Sequence, residues 1–187
     1  MIGLLFGSFN PIHLGHTALA NYLLTHAGLD EVWFVVSPHN PLKKQADLLD
    51  DAFRLQLVNF AIADNPSFKA CDVEFSMPTP NYTHQTLEKL HALYPNKEFT
   101  LLIGADNLAV FHLWKAYEQL LANFAIIVYP RTGFNVALLH EQYPQVKVIE
   151  APLFPISSTE IRELIAQKKD ASTWLHPFVY KALLKQL

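Results

Sequence analysis

Cysteine is nearly absent. Cys71 is the only one in 187 residues, so an internal disulfide is excluded and a small buried hydrophobe is the expected role of that side chain. Long apolar runs are missing too: the longest, such as Phe124 to Tyr129, are strand-sized, far short of the roughly 20 residues that cross a bilayer. No membrane span is expected. With a net charge of −3, the chain lacks the basic excess of a duplex-binding surface, and no nucleic-acid partner is expected. A small anionic ligand held by a few local cations is compatible with that charge. The N-terminus enters an apolar run at once, without a basic leader or an Ala-x-Ala-like cleavage site, which reads as a first strand and a cytoplasmic protein. Repeats, low-complexity tracts and linkers are also lacking, so residues 1–187 are expected to form a single domain around one core. Oligomeric state is left open, a homo-oligomer included.

Half of the chain is apolar, and that half falls into alternating patterns. Strand-like runs occur at Ile2 to Phe6, Glu31 to Val36, Phe68 to Phe75, Glu98 to Ile103, Phe124 to Tyr129 and Lys147 to Ile149. Helix-period segments lie between most of them. One runs from His16 to His26 and should end on a left-handed cap at Gly28; another covers Asp51 to Ala63 after the N-cap Asp50; a third runs from Thr83 to Tyr94 and stops at Pro95. Alternating strands and helices predict an α/β fold, a doubly wound, Rossmann-like parallel sheet with helices on both faces and right-handed crossovers. Ile2 to Phe6 is apolar on nearly every residue, as a strand covered on both faces must be, and belongs near the sheet centre. Ligands of such sheets bind beyond the carboxyl ends of the strands, so function should show there.

After the first strand comes Gly7-Ser8-Phe9-Asn10-Pro11-Ile12-His13-Leu14-Gly15-His16. Gly7 and Ser8 let backbone approach a ligand, and the following helix start offers free N–H groups and a positive dipole end to an anion. His13 and His16, three apart, are expected on one face of that helix start. A tight turn with two surface histidines would explain Gly-x-x-x-Pro alone; the histidine pair directly after a buried strand favours a phosphate site. Zinc is the other chemistry for histidines at this spacing, but no cysteine or further histidine pair completes a ligand set nearby. This segment resembles the Gly-x-Phe-[Asp/Asn]-Pro-x-His-x-Gly-His signature of the nucleotidyltransferase superfamily, whose His-x-x-His binds ATP phosphates.

The other strand ends carry similar chemistry. Ser37 to Lys44 places His39, Lys43 and Lys44 at the same edge, where a solvated lysine pair and an anion contact are equally good readings. Tyr82-Thr83 opens a helix that Thr83 could cap. Gly104-Ala105-Asp106-Asn107 offers a carboxylate that fits either an N-cap or an acceptor for ribose hydroxyls, and Trp114 fits either a core aromatic or a plane stacked on a heterocycle. In Ile156-Ser157-Ser158-Thr159-Glu160-Ile161-Arg162, Ser157 and Glu160 make a capping box. Three hydroxyls at a helix start with Arg162 just inside would further suit a triphosphate.

Together these segments resemble the bacterial nicotinate-nucleotide adenylyltransferases along nearly the whole chain, with Tyr129-Pro130-Arg131 and Thr86-Leu87 adding to the agreement. The resemblance implies that Gly7, Ser8, Phe9, His13, His16, Ser158, Thr159 and Arg162 hold ATP, with Gly104, Ile156 and Ser157 beside them and Asp106 on the adenosine side. It implies Lys44, Tyr82, Thr83, Trp114, Tyr117 and Arg131 for the mononucleotide, and His13, His16 and Arg162 for catalysis. The reaction implied is attack by the phosphate of nicotinate mononucleotide on the α-phosphorus of ATP, with Mg²⁺ bridging the phosphates and no protein ligand assigned to it. Met77 stands where relatives often carry arginine, Tyr117 where a second tryptophan is usual, and Asn10 where many have aspartate. Adenylyltransferases for phosphopantetheine, flavin mononucleotide or nicotinamide mononucleotide, cytidylyltransferases, and a non-catalytic nucleotide sensor are the competing readings.

Overall fold

A computed structural model describes residues 1–38 and 48–186, so His39, Lys43 and Lys44 lie outside the described residues. Six parallel strands form one sheet in the order β3-β2-β1-β4-β5-β6: β1 Ile2–Gly7, β2 Glu31–Val36, β3 Phe68–Cys71, β4 Phe99–Gly104, β5 Ala125–Tyr129 and β6 Lys147–Val148. As predicted, β1 is central. Its neighbours β2 and β4 leave in opposite directions along the sheet, which makes the β1/β4 boundary the point where the winding reverses.

Among the described residues α1 Leu14–Ala27, α2 Asp51–Ile62, α3 Thr83–Leu93, α4 Ala105–Ala109, α5 Tyr117–Asn123 and α6 Val136–Gln142 lie between strands, and α7 Ser158–Ala166 and α8 Pro177–Leu184 follow β6. Alternate strand residues feed two cores. Leu5, Val32, Phe34, Leu102 and Ile127 pack with residues of α1, α2, α7 and α8; Leu4, Trp33, Val35, Leu101 and Ile126 pack on the other face with residues of α3, α4 and α5. Among the described residues no helix is long and apolar enough to cross a membrane.

The expected caps hold at two helices. Gly28 closes α1 in the left-handed region at φ 73°, and the Asp50 side chain accepts the Phe53 N–H at the start of α2. Other boundaries differ. Helix α1 begins at Leu14 rather than His16, and β5 and β6 are each one residue shorter than read. The third strand stops at Cys71, because Val73–Ser76 turn as a 3₁₀ helix in which the Ser76 hydroxyl donates to the Val73 carbonyl. That turn buries Glu74, whose carboxylate accepts the Thr86 hydroxyl of α3 at 2.8 Å. Thr83 is not a cap: Tyr82 occupies the N-cap and Thr83 is the first helical residue. Nor is Asp106, since Gly104 holds the N-cap of α4. Cys71 is buried as expected, and burial raises its thiol pKa to about 11.

Candidate active site

The strand register sets the site. Gly7 pairs with Val36 and Gly104 with Tyr129, while Leu5 faces Leu102 two residues before Gly7 and Gly104, so four strands end together at the reversal point. Beyond Gly7 the chain turns sharply. Phe9 takes a left-handed φ of 44° and buries its ring against Phe34 and, edge-on at 5.2 Å, against His16. His13 precedes α1 rather than lying on it, and its imidazole stacks on that of His16 with centroids 3.7 Å apart. The His13 N–H donates to His16 Nδ1 at 3.2 Å, and the His16 N–H donates to the His13 carbonyl at 2.9 Å. Both histidines therefore meet at the same helix start, His13 as its N-cap and His16 in its first turn.

His13 is buried, and its pKa falls to about 4, first from burial and then from the positive charge of Arg131, against a smaller opposing effect of Glu160. The ring is neutral at neutral pH. Arg131 comes from the end of β5 and Glu160 from α7, so two distant segments flank one imidazole.

The far end of the chain closes on this loop. A Cβ at position 15 would come 3.0 Å from both the His13 ring and the Ile156 side chain, which places Ile156 against the helix start. Ser158 Oγ donates to the Pro11 carbonyl at 2.9 Å, and Arg162 Nη1 donates to the Asn10 carbonyl at 2.8 Å. Ser157 and Glu160 form the expected capping box: Glu160 Oε2 accepts the Ser157 N–H and hydroxyl, each at 2.7 Å, and Ser157 Oγ accepts the Glu160 N–H at 3.2 Å. Thr159 Oγ1 accepts from Arg162 Nη2 at 3.3 Å. Ser157 and Ser158 thus donate their hydroxyls within the protein while Thr159 accepts from Arg162, and the helix start also presents backbone N–H groups to an anion.

Gly104 and Asp106 stand across the reversal point. Arg131 Nε lies 3.5 Å from Asp106 Oδ1, and the Arg131 guanidinium sits 5.5 Å over the Tyr129 ring. Sequence reasoning assigned Asp106 to the adenosine side and Arg131 to the mononucleotide; the fold joins them in one ion pair, because Arg131 extends from the strand next to the one Asp106 follows. Tyr82 meets Lys115, whose ammonium lies 4.4 Å over the Tyr82 ring one residue beyond Trp114 in sequence. Trp114 is half-buried on Phe111 at 5.1 Å, so part of its plane stays accessible. Tyr117 opens α5, with its hydroxyl on Glu118 at 3.4 Å and its ring edge-on to Phe111.

A cytidylyltransferase-like family model matches residues 4–164. A Bacteroides fragilis protein named "Probable nicotinate-nucleotide adenylyltransferase" is 52% identical over 98% of this chain and 91% of its own length. A Flavobacterium psychrophilum protein of the same name is 49% identical over 96% of this chain and 94% of its own. The chain belongs to the nicotinate-nucleotide adenylyltransferase family. It is a nucleotidyltransferase. In fold it matches the Plasmodium falciparum nicotinic acid mononucleotide adenylyltransferase complexed with NaAD, with a TM-score of 0.84 at 22% identity over 99% of this chain and 95% of that one.

Membership of this family leaves one buried residue unaccounted for by motif reading. Arg54 in α2 is fully buried, and it donates to the carbonyls of both Ser8 and Ser37 directly behind the site. The signal was in the helix pattern. Arg54, Leu57, Val58 and Ile62 are the buried residues of α2, spaced as one helical stripe, so a charged residue lies on a face otherwise reserved for the core.

Proposed function

We propose that this nucleotidyltransferase joins nicotinate mononucleotide to the AMP moiety of ATP, giving nicotinate adenine dinucleotide and pyrophosphate. The observation that carries this reading is the meeting of His13, His16, Ser158 and Arg162 at the reversal point of the sheet, where two chain segments that are far apart in sequence come together at the start of α1. The names of the relatives supply the substrate pair.

The mononucleotide phosphate is the nucleophile, and its oxygen forms a bond to the α-phosphorus as the bond from that phosphorus to the bridging oxygen of pyrophosphate breaks. The nucleophile is already ionised at neutral pH. No general base is needed, and catalysis rests on placing two polyanions in line and stabilising the charge gathering on the α-phosphate and leaving group. The residues at the β1–α1 turn are suited to such stabilisation, since a neutral His13, His16, the α1 and α7 N-termini and Arg162 all present N–H groups, which match phosphate oxygens. Among the described residues no group of three or more His, Cys, Asp or Glu side chains stands together to hold a metal ion. N–H donors would hold phosphate oxygens and not the ion, so Mg²⁺ would enter with ATP as part of the substrate and would add positive charge at its phosphates. Gly7, Ser8, Phe9, Gly104, Asp106, Ile156, Ser157 and Thr159 complete the ATP side in this reading. Tyr82, Thr83, Trp114 and Tyr117, with Lys44, make the mononucleotide side, and Arg131 spans the two.

Pyrophosphate release from ATP across a panel of nicotinate, nicotinamide and flavin mononucleotides and phosphopantetheine tests this reading. The expected result is turnover with the pyridine mononucleotides and a higher kcat/KM for the nicotinate form. Turnover with another acceptor alone, or ATP binding without any release, would overturn it.

A further inference from the structure

All of the Arg54 donors are spent on the backbone of the loops that build the site and on one carboxylate. Nε donates to the Leu49 carbonyl at 3.0 Å; Nη1 donates to the carbonyls of Ser8 and Ser37, the latter at 2.9 Å; Nη2 donates to the Pro38 carbonyl at 3.3 Å and to Asp51. A guanidinium with no exposed surface thus fastens the turns after β1 and β2 to the start of α2. A second bond runs parallel to it, from the Leu49 N–H to the Asn10 side-chain oxygen at 2.9 Å.

The Ser8 contact has a directional consequence. In a trans peptide the C=O and N–H point opposite ways, so holding the Ser8 carbonyl down toward Arg54 turns the Phe9 N–H away from the core. That N–H has no backbone acceptor among the described residues. Phe9 itself sits at φ 44°, a conformation that costs an L-residue with a large side chain, and such strain persists only where the surroundings impose it. The strained residue and the anchored carbonyl belong to the same peptide unit.

We infer that Arg54 is a positioning residue for phosphate binding: by anchoring the Ser8 carbonyl it holds the strained β1–α1 turn with the Phe9 amide aimed at an ATP phosphate. This rests on the reading of that turn as the ATP site. Lysine cannot take its place, because an ammonium lacks the planar fork that reaches carbonyls on three sides at once.

Two measurements decide it, and neither needs turnover or a mononucleotide substrate. In wild-type protein labelled with ¹⁵N, ATP should shift the Phe9 amide proton downfield and slow its exchange; an unmoved Phe9 amide overturns the inference. In Arg54→Lys shown to be folded by circular dichroism, calorimetry should find ATP bound about tenfold more weakly or worse, with nicotinate mononucleotide affinity changed less than about threefold. A folded Arg54→Lys protein with wild-type ATP affinity, altered only in thermal midpoint, would make Arg54 a core residue and nothing more. Should that variant not fold, Arg54→Gln, which keeps donors to a carbonyl without a buried charge, is titrated in its place with the same two outcomes deciding. A wild type that binds ATP and shifts Phe9 yet releases no pyrophosphate would count against the proposed reaction while leaving Arg54 in place.

Discussion

Arg162 donates through Nη1 to the carbonyl oxygen of Asn10 at 2.8 Å, a bond between residues 152 positions apart. It links α7 to the β1–α1 turn, and Nη2 donates to Thr159 Oγ1 at 3.3 Å. Two of the five guanidinium N–H groups are used in this way, and the planar fork they fix leaves others to meet phosphate oxygens. Arg162→Lys keeps the charge and loses the fork. It is expected to stay folded, since Ser158 still ties α7 to Pro11, and to bind ATP about tenfold more weakly in a calorimetric titration. Wild-type affinity in the variant would reduce Arg162 to a tether between chain segments.

Gly104 is glycine because of what crowds it. A Cβ there would meet Asp106 Oδ1 at 2.3 Å and Arg131 Cγ and Nε at 2.9 Å. Both obstacles are half-exposed side chains that can swing aside, so Gly104→Ala should fold but lose the 3.5 Å Asp106–Arg131 pair. The expected outcome is a several-fold rise in the KM for ATP, on the order of 1 kcal/mol, with a thermal midpoint close to wild type. A KM that does not move would separate this ion pair from nucleotide binding.

The His13 imidazole carries a pH dependence of stability. Burial, then Arg131, lowers its pKa from 6.5 to about 4. Between those values the unfolded chain binds a proton that the folded chain refuses, so stability from this group is full above pH 6.5 and is lost as pH falls toward 4. The span amounts to no more than about 3 kcal/mol. Urea unfolding of wild type from pH 7 to pH 4.5 should therefore show a steeper loss than His13→Asn. Parallel curves would assign the acid sensitivity to other groups.

The sheet was legible because its central strands are covered on both faces, and continuous apolar runs such as Ile2 to Phe6 have few other uses. Residues 68–75 misled for a different reason: they read as a half-buried, roughly alternating strand through Phe75, yet Val73–Ser76 form a 3₁₀ turn in which buried Glu74 accepts from Thr86, a partner on a later helix. At the site, motif spacing put His13 and His16 at one helix start, and only the family resemblance joined Ser158 and Arg162 to them; the bonds from Ser158 to Pro11 and from Arg162 to Asn10 bring the two segments together. Motif spacing could not tell that the Ser158 hydroxyl donates to the Pro11 carbonyl, or that Arg131 pairs with Asp106, since both depend on distances between elements. Arg54 carried a signal in its place on the apolar stripe of α2, but its partners, four backbone carbonyls and Asp51, leave no motif that names its role.

His16 bears the sharpest forecast. It is the third residue of α1, with Nδ1 accepting the His13 N–H at 3.2 Å and the ring held between Phe9 and His13. An Nδ1 that accepts places the proton of a neutral ring on Nε2, which gives the imidazole one directed donor. Aromatic packing on two sides fixes where that donor points, so it need not reorganise as the α-phosphate gains charge. A preorganised donor of this kind acts more strongly on the transition state than on bound ATP, and losing one costs about 10² to 10³ in kcat. His16→Ala should therefore turn over far more slowly while its ATP affinity, measured separately by calorimetry, changes by less than about threefold. The variant removes the acceptor for the His13 N–H as well, so circular dichroism and thermal midpoint must accompany the kinetics. A lower midpoint with turnover per folded molecule near wild type would mean that His16 only braces the helix start. A folded variant with kcat down at least about a hundredfold and near-normal ATP binding places the His16 donor on the reacting phosphate.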